Sequence, residues 1–386
     1  MTFVRMTLCC VLFLGGSAAA KAQDTIRLEL SPKAETVYDY AAEKCRSNSI
    51  PDSPARALRR ADGSVVLIGG HLTNWFMEGA RLDSVKPNCA ISSRAAESPN
   101  PADFDDRYWI QALLPVGEGR VIGLGSQEFM GKRHAGVCDG PGAQSPCWYS
   151  SIVTVSADAK DLNFSLLPKA ERLVASSSSP FDPKVKMTGF FTASNIVRDG
   201  QYLYFVGWTA GEAKPGPNGN CLFRSTVAEA AKGEWEVLSD GQFTRPPQAY
   251  RGDDGTTHCD NIGAGRQGKP PFGRIRSIVR LKSHDLWLAT YNTGAPNPGV
   301  FYTTSKDLVH WSEPRMLADF KPFWQSKGAC QDYFEYPSFI DPASDSDIFD
   351  TAGDAFYVYF TRLNWTDCKR GMNRDLVRFP VRVVAN

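Results

Sequence analysis

Three acids stand where a side chain could exchange a proton with a bound molecule. Asp52 lies between Pro51 and Pro54, whose rings restrict the backbone and fix its direction. Glu335 sits in a run of acids and aromatics from Cys330 to Pro337. Asp106 comes just before a strand-like segment, and Asp332 precedes Glu335 by three residues; either could orient a base or shift its pKa. Carboxyl groups in unlike surroundings can hold opposite protonation states, because desolvation raises one pKa and leaves the other group ionised. That is what general acid–base catalysis requires. Asp52, Glu335 and Asp106 are therefore the catalytic candidates. The ligand-facing candidates are Arg56 and Arg276, which could fork onto a hydroxyl pair or a carboxylate, Trp109 and Tyr336, which could stack on a ligand face, and His71, Asn195 and Asp332.

Metal chemistry has little support. No Cys-x-x-Cys occurs, and His134 near Cys138 and His258 beside Cys259 lack a second half-site, so no metal or cofactor is expected. The acidic run Asp341, Asp345, Asp347 and Asp350 lacks EF-hand spacing; a structural calcium is the one cation it could take. The 43 basic and 42 acidic residues leave a formal charge of +1, which gives no signal for nucleic acid.

The elements that must carry these residues repeat. Ala55 to Gly70, Trp109 to Gly125, Thr192 to Trp208 and Arg276 to Tyr291 each read as strand, turn, strand. Tyr336 to Asp341, an acidic insertion, and Asp354 to Arg362 make a fifth unit. In each, the first strand is small and polar and the second apolar and aromatic. A second hairpin follows in most units, at Ser151 to Ser165, Cys221 to Leu238 and Val300 to Ser312. In the last of these, Asp307 is placed to close the turn and Trp311 to pin it. Five four-stranded units predict an all-β, five-bladed β-propeller, with Ile26 to Leu30 closing the ring against the last blade. A two-sheet sandwich is the alternative reading of the same strands. First strands that line a narrow channel should be small and polar, and their starts should face the funnel where ligands bind.

The blade rhythm over residues 45–386, with Ser305 to Trp311 and Tyr336 to Asp341, resembles the five-bladed propeller glycoside hydrolases of the arabinanase, xylosidase and invertase-like groups. The resemblance implies hydrolysis of a carbohydrate by carboxylates in the central funnel. It implies an essential Asp at the start of the first blade, which Asp52 matches. It also implies a general-acid Glu in the third blade; Thr188 to Asn195 holds none, and Glu335 is the substitute. One acid must protonate the leaving oxygen while the other acts as base or nucleophile, about 5–5.5 Å away for retention and 6.5–9.5 Å for inversion. A non-catalytic carbohydrate-binding propeller is the second expectation. A sialidase-type enzyme, using arginines and a tyrosine nucleophile, is the third.

The N-terminus reads as a signal peptide over residues 1–22: one cation, an apolar run from Met6 to Gly16, and Ala20-Lys21-Ala22 as the cleavage site. The mature domain would then be a single propeller over 23–386, secreted or periplasmic, monomeric and without a membrane span. Cys9 and Cys10 leave with the leader, and the remaining eight cysteines suit an oxidising compartment. Sequential pairing is the simplest of the 105 pairings: Cys45–Cys89, Cys138–Cys147, Cys221–Cys259 and Cys330–Cys368.

Overall fold

The computed structural model describes residues 26–211, 219–252, 257–263, 273–294, 297–325, 330–367 and 369–385. The expected leader and its cleavage site lie outside them.

Strands of two to seventeen residues, broken by turns, build five units. Blade I is Arg56–Arg59, Val65–Ile68, Asn74–Gly79 and Lys86–Ser93. Blade II is Tyr108–Pro115, Arg120–Met130 and Trp148–Asp158, with Ser165–Leu166 and Leu173–Ala175 sharing its outer edge. Blade III is Met187–Ala193, Tyr202–Ala210, Gly219–Ser225 and Glu236–Ser239, edged by Gln242–Thr244. Blade IV is Ser277–Leu281, Leu286–Thr293, Gly299–Ser305 and Arg315–Ala318. Blade V takes Tyr333–Ile340, Ala355–Thr366 and Lys369–Ala385 from the end of the chain and Ile26–Leu30 from its start. Ile26 pairs with Ala385 and Leu30 with Val381, antiparallel, so the expected closing strand covers an edge that would otherwise stay unpaired.

The first strands touch in one cycle, I to II to III to IV to V and back to I. That cycle makes the molecule a five-bladed propeller and excludes a sandwich. Apolar clusters fill the wedges between neighbouring blades. Val197, Val206, Ile278 and Trp287 fill one between III and IV, and Leu67, Trp75, Tyr359 and Leu376 fill one between V and I.

The start expected at Thr192 is displaced. The inner strand of blade III begins at Met187 and is interrupted after Ala193, where Ser194 bonds Val206 through both its N–H and its Oγ. The cause lies at the blade II–III seam, where Met187, Thr188 and Gly189 pair in parallel with Trp148, Tyr149 and Ser150. Gly189 has φ +101°, and a Cβ there would lie 2.1 Å from Ser150 O, so only glycine permits the join. The turn at Ser305–Trp311 is built as expected. Asp307 Oδ1 accepts from Val309 N at 3.0 Å and His310 N at 2.7 Å, and Trp311 Nε1 donates to Leu308 O at 2.9 Å.

Disulfides join Cys45–Cys89, Cys138–Cys147 and Cys221–Cys259. Cys330 is also disulfide-bonded, while Cys368, its expected partner, lies outside the described residues. No helix among the described residues is long and apolar enough to cross a membrane.

Candidate active site

Polar inner strands are explained first by the ring itself. Arg56 is buried, and its guanidinium donates to Gln111 O of blade II at 2.5 Å, Arg276 O of blade IV at 2.6 Å, Ser338 Oγ of blade V at 2.8 Å and Ala55 O at 3.0 Å. Asn195 clasps blade III to blade IV, accepting from Ile278 N at 2.8 Å and donating to Ile278 O at 2.7 Å. Both residues were expected to face a ligand. Their polar atoms are instead taken up by backbone that would otherwise be buried without partners, which corrects that expectation.

Above this belt the blades converge on Asp52. The loop that carries it is fixed by Asp52 N donating to Gly69 O at 2.8 Å. Its carboxylate accepts from Trp109 Nε1 of blade II at 3.3 Å and from the Tyr336 hydroxyl of blade V at 3.3 Å. Arg374 of blade V forms a charge-assisted hydrogen bond to Oδ1, and His71 Nε2 stands 3.5 Å from Oδ2. Asp52 keeps 15% of its side-chain surface exposed. Burial holds the His71 imidazole below its ordinary value against the pull of Asp52, so it is neutral at pH 7.

Glu335 and Tyr336 are adjacent, and a regular strand would send them to opposite faces. Here the ladder shifts register between Glu335 and Ser338, and Tyr336 has φ +60°. An aromatic residue in the left-handed region carries strain of about 1–3 kcal/mol. The resulting bulge lets the Tyr336 hydroxyl reach Asp52, and the charges of both acids act on that hydroxyl. Burial, reinforced by Asp52, pushes the Tyr336 hydroxyl well above the ordinary phenol range. Glu335 is 1% exposed, and both its oxygens are occupied, by Asn292 Nδ2 at 2.5 Å and Phe323 N at 2.9 Å. Burial pushes its carboxyl up to about 7.

The sequence reading missed Glu128, on the second strand of blade II. Its N–H donates to Arg107 O at 2.8 Å, which sets the two side chains together, and Arg107 Nη2 lies 3.9 Å from Oε2. Burial pushes the Glu128 carboxyl up to about 7; Arg107 and Arg274 oppose the rise and Asp52 adds to it. Unlike Glu335, Glu128 has no hydrogen bond to its carboxyl among the described residues and keeps 18% of its side chain exposed. The available signal was a lone acid near the end of an apolar strand, Arg120–Met130.

Asp106 stands just ahead of blade II's inner strand, as expected, and its charge adds to the rise at Glu128; neither it nor Asp332 bonds Asp52 among the described residues. Asp106 is 1% exposed, accepts from Met130 N at 3.1 Å and lies 3.1 Å from His134 Nε2, so it braces the turn after blade II's second strand. Asp332 is exposed to solvent ahead of its strand. Arg276 is buried, with its guanidinium 5.4 Å from the centre of the Tyr336 ring. The acidic loop engages its own carboxylates: Asp341 with Ala343 N and Gly353 N, Asp345 with Lys282, Asp347 with Arg198, and Asp350 with Arg198 N. Among the described residues one set of metal-capable donors converges, Asp240, His258 and Asp260, with ligand atoms within 4.8 Å of one another at the outer edge of blade III.

Asp52, held by a cation and two neutral donors, thus acts electrostatically on a second acid, Glu128, whose carboxyl burial pushes up to about 7. No family model and no curated protein matches this sequence. Among solved structures, the chain is similar to a GH43_1 enzyme from Xanthomonas citri complexed with xylose, at 11% identity over 90% of this chain and 89% of that one, TM-score 0.49. It is similar to the catalytic domain of a GH62 α-L-arabinofuranosidase from Coprinopsis cinerea, at 10% identity over 93% and 98%, TM-score 0.46. It is also similar to an α-L-arabinanase from Cellvibrio cellulosa complexed with arabinohexaose, at 11% over 83% and 88%, TM-score 0.44.

Proposed function

We propose that this chain is an exported glycoside hydrolase that cleaves a carbohydrate between Asp52 and Glu128. The carrying observation is the pair itself: Asp52, bound by Arg374, Trp109 and Tyr336, acts electrostatically on Glu128, whose carboxyl burial pushes up to about 7. Glu128 donates its proton to the leaving glycosidic oxygen as the bond breaks. The carboxylate it becomes is stabilised by Arg107 and Arg274. Asp52 attacks the anomeric carbon or takes a proton from the water that does. The Arg374, Trp109 and Tyr336 contacts keep it oriented. Glu335, with both oxygens occupied, ties blade V to Asn292 of blade IV and to Phe323. Trp109 offers a ring to a sugar face. The disulfides suit an oxidising compartment, in keeping with export.

A binding-only propeller is the second reading. What favours it is the state of Glu335, which has no free oxygen for a ligand. A tyrosine nucleophile fits poorly, because the surroundings of Tyr336 oppose its ionisation. The test is incubation of purified protein with a panel of plant, bacterial and animal glycans, with released sugars separated by anion-exchange chromatography. Release from at least one glycan, lost in both Asp52→Asn and Glu128→Gln, supports the hydrolase. Retention of a glycan without cleavage supports the binding propeller.

A further inference from the structure

Beyond the two acids, the funnel is lined with cations. Arg107 comes from blade II, Arg274 and Arg276 from the extended segment entering blade IV, and Arg374 from blade V. Arg107 lies 3.9 Å from Glu128 and over the ring of Trp109, which bonds Asp52; Arg374 bonds Asp52; Arg276 lies over the ring of Tyr336, whose hydroxyl also bonds Asp52; and the charge of Arg274 acts on Glu128. The chain as a whole carries only +1, so this concentration does not follow from composition.

The cations are also incompletely answered. Arg374 has Asp52, and Arg107 has Glu128 at 3.9 Å, beyond hydrogen-bond reach. Arg276 is 6% exposed and Arg107 8% exposed. Arg276 Nε, Arg107 Nε and Nη2, and Arg374 Nε are buried donors with no partner among the described residues. Arg274 lies 4.0 Å from the centre of the Trp208 ring and 5.8 Å from that of Phe191, a cation–π seat that holds it without neutralising it. Burying a guanidinium without an anion is costly, and a fold keeps such a group where an anion completes it. The hydroxyls of a neutral sugar can accept hydrogen bonds but bring no compensating charge. A planar carboxylate brings both and matches the guanidinium fork.

We infer that the glycan bound in this funnel is acidic, a uronate- or sialate-bearing chain whose sugar carboxylate is received by Arg276 and Arg274, with Arg107 and Arg374 flanking. This rests on the glycosidase reading for the location of the site and deepens it by naming the substrate class. The carboxylate sits beside the reacting bond, where it also offsets the positive charge left when Glu128 is protonated.

The test uses affinity electrophoresis of the full chain in gels containing polygalacturonan, glucuronoxylan, alginate, hyaluronan or polysialic acid. Each is paired with its carboxyl-reduced, neutral counterpart, and chondroitin sulfate and arabinan serve as further arms. One carboxylated polymer should retard the protein at least about tenfold more strongly than its reduced form, as one charged hydrogen-bond pair lost implies. Arg276→Met and Arg274→Met should lose that difference. Arg274→Lys, which keeps charge but not the fork, should lose only part of it. Melting curves for each variant establish folding, and the wild-type contrast between parent and reduced polymer needs no variant at all. Equal retardation by parent and reduced polymers, retardation by sulfated or neutral glycans alone, or no retardation by any carboxylated polymer overturns the inference. Carboxylate-dependent retardation with no cleavage leaves the inference standing and removes the hydrolase reading; cleavage of neutral arabinan alone does the reverse.

Discussion

Replacing Glu128 by Gln keeps size and removes the proton, and the structure requires two opposite consequences. The first is kinetic. General acids contribute roughly 10²–10⁴-fold, or about 3–5 kcal/mol of barrier, so kcat/KM on a natural glycan should fall by that much. An aryl glycoside whose leaving group needs no proton should lose much less. The wild-type rate should fall as pH rises through about 7, where Glu128 loses its proton, and that limb should be absent from the residual activity of the variant. The second consequence is on stability. Glu128 is raised from 4.5 to about 7 on folding, so the folded chain holds the proton more tightly than the unfolded chain. Its contribution is fully present below about pH 4.5, declines as pH rises through about 7, and is gone above it. The difference amounts to roughly 3 kcal/mol, at 1.36 kcal/mol per unit. Gln does not titrate, so the variant should gain about that much relative to wild type at pH 8 compared with pH 4.5. Urea titrations at the two pH values measure it. Taking the difference between pH values cancels everything the substitution does to packing, and Glu335, raised by the same cause, titrates in both proteins and cancels too. A variant that keeps its rate within about threefold, with the same pH dependence of stability as wild type, would falsify the assignment of Glu128 as the acid.

Asp52→Asn should lower turnover by about 10²–10⁴-fold and leave Arg374 with an uncompensated charge, so it should destabilise the fold; a denaturant midpoint at pH 8 no lower than that of wild type would contradict the site. Arg56→Met should cost about 3–5 kcal/mol in urea unfolding, because it leaves buried carbonyl acceptors from blades II and IV without a donor; a change below about 1 kcal/mol would mean the ring is held by packing alone. Replacing both Cys221 and Cys259 by Ser should cost about 3–4 kcal/mol by loop-closure entropy over a separation of 38 residues, read as a shift in urea midpoint. Alkylation of the intact protein under non-reducing conditions should label none of Cys45, Cys89, Cys138, Cys147, Cys221 and Cys259; labelling of any pair would contradict the bridges.

Sequence alone determined what is local and periodic. Alternation with a period of two, turns rich in Gly and Asp, and the fivefold recurrence of one hairpin were enough for the blade count and the closing strand, because each depends on residues close along the chain. The turn at Asp307 and Trp311 was legible for the same reason. Cysteine order was enough for three bridges, since consecutive cysteines share or adjoin a blade. The place of Asp52 in a loop at a blade start was legible because its two prolines mark a constrained segment. Only the tertiary structure decided which polar inner residues face the funnel and which tie the ring. Arg56 and Arg276 look alike in sequence, yet the donors of one meet carbonyls from neighbouring blades and the Nε of the other meets no acceptor among the described residues. Glu335 and Glu128 likewise differ in ways no local pattern records: a bulge at Tyr336 and the bonds from Asn292 and Phe323 enclose the first, while pairing across blade II brings the second beside Arg107 and within the field of Asp52. Burial, and with it the protonation state that assigns a chemical role, belongs to the closed ring and not to any one of its strands.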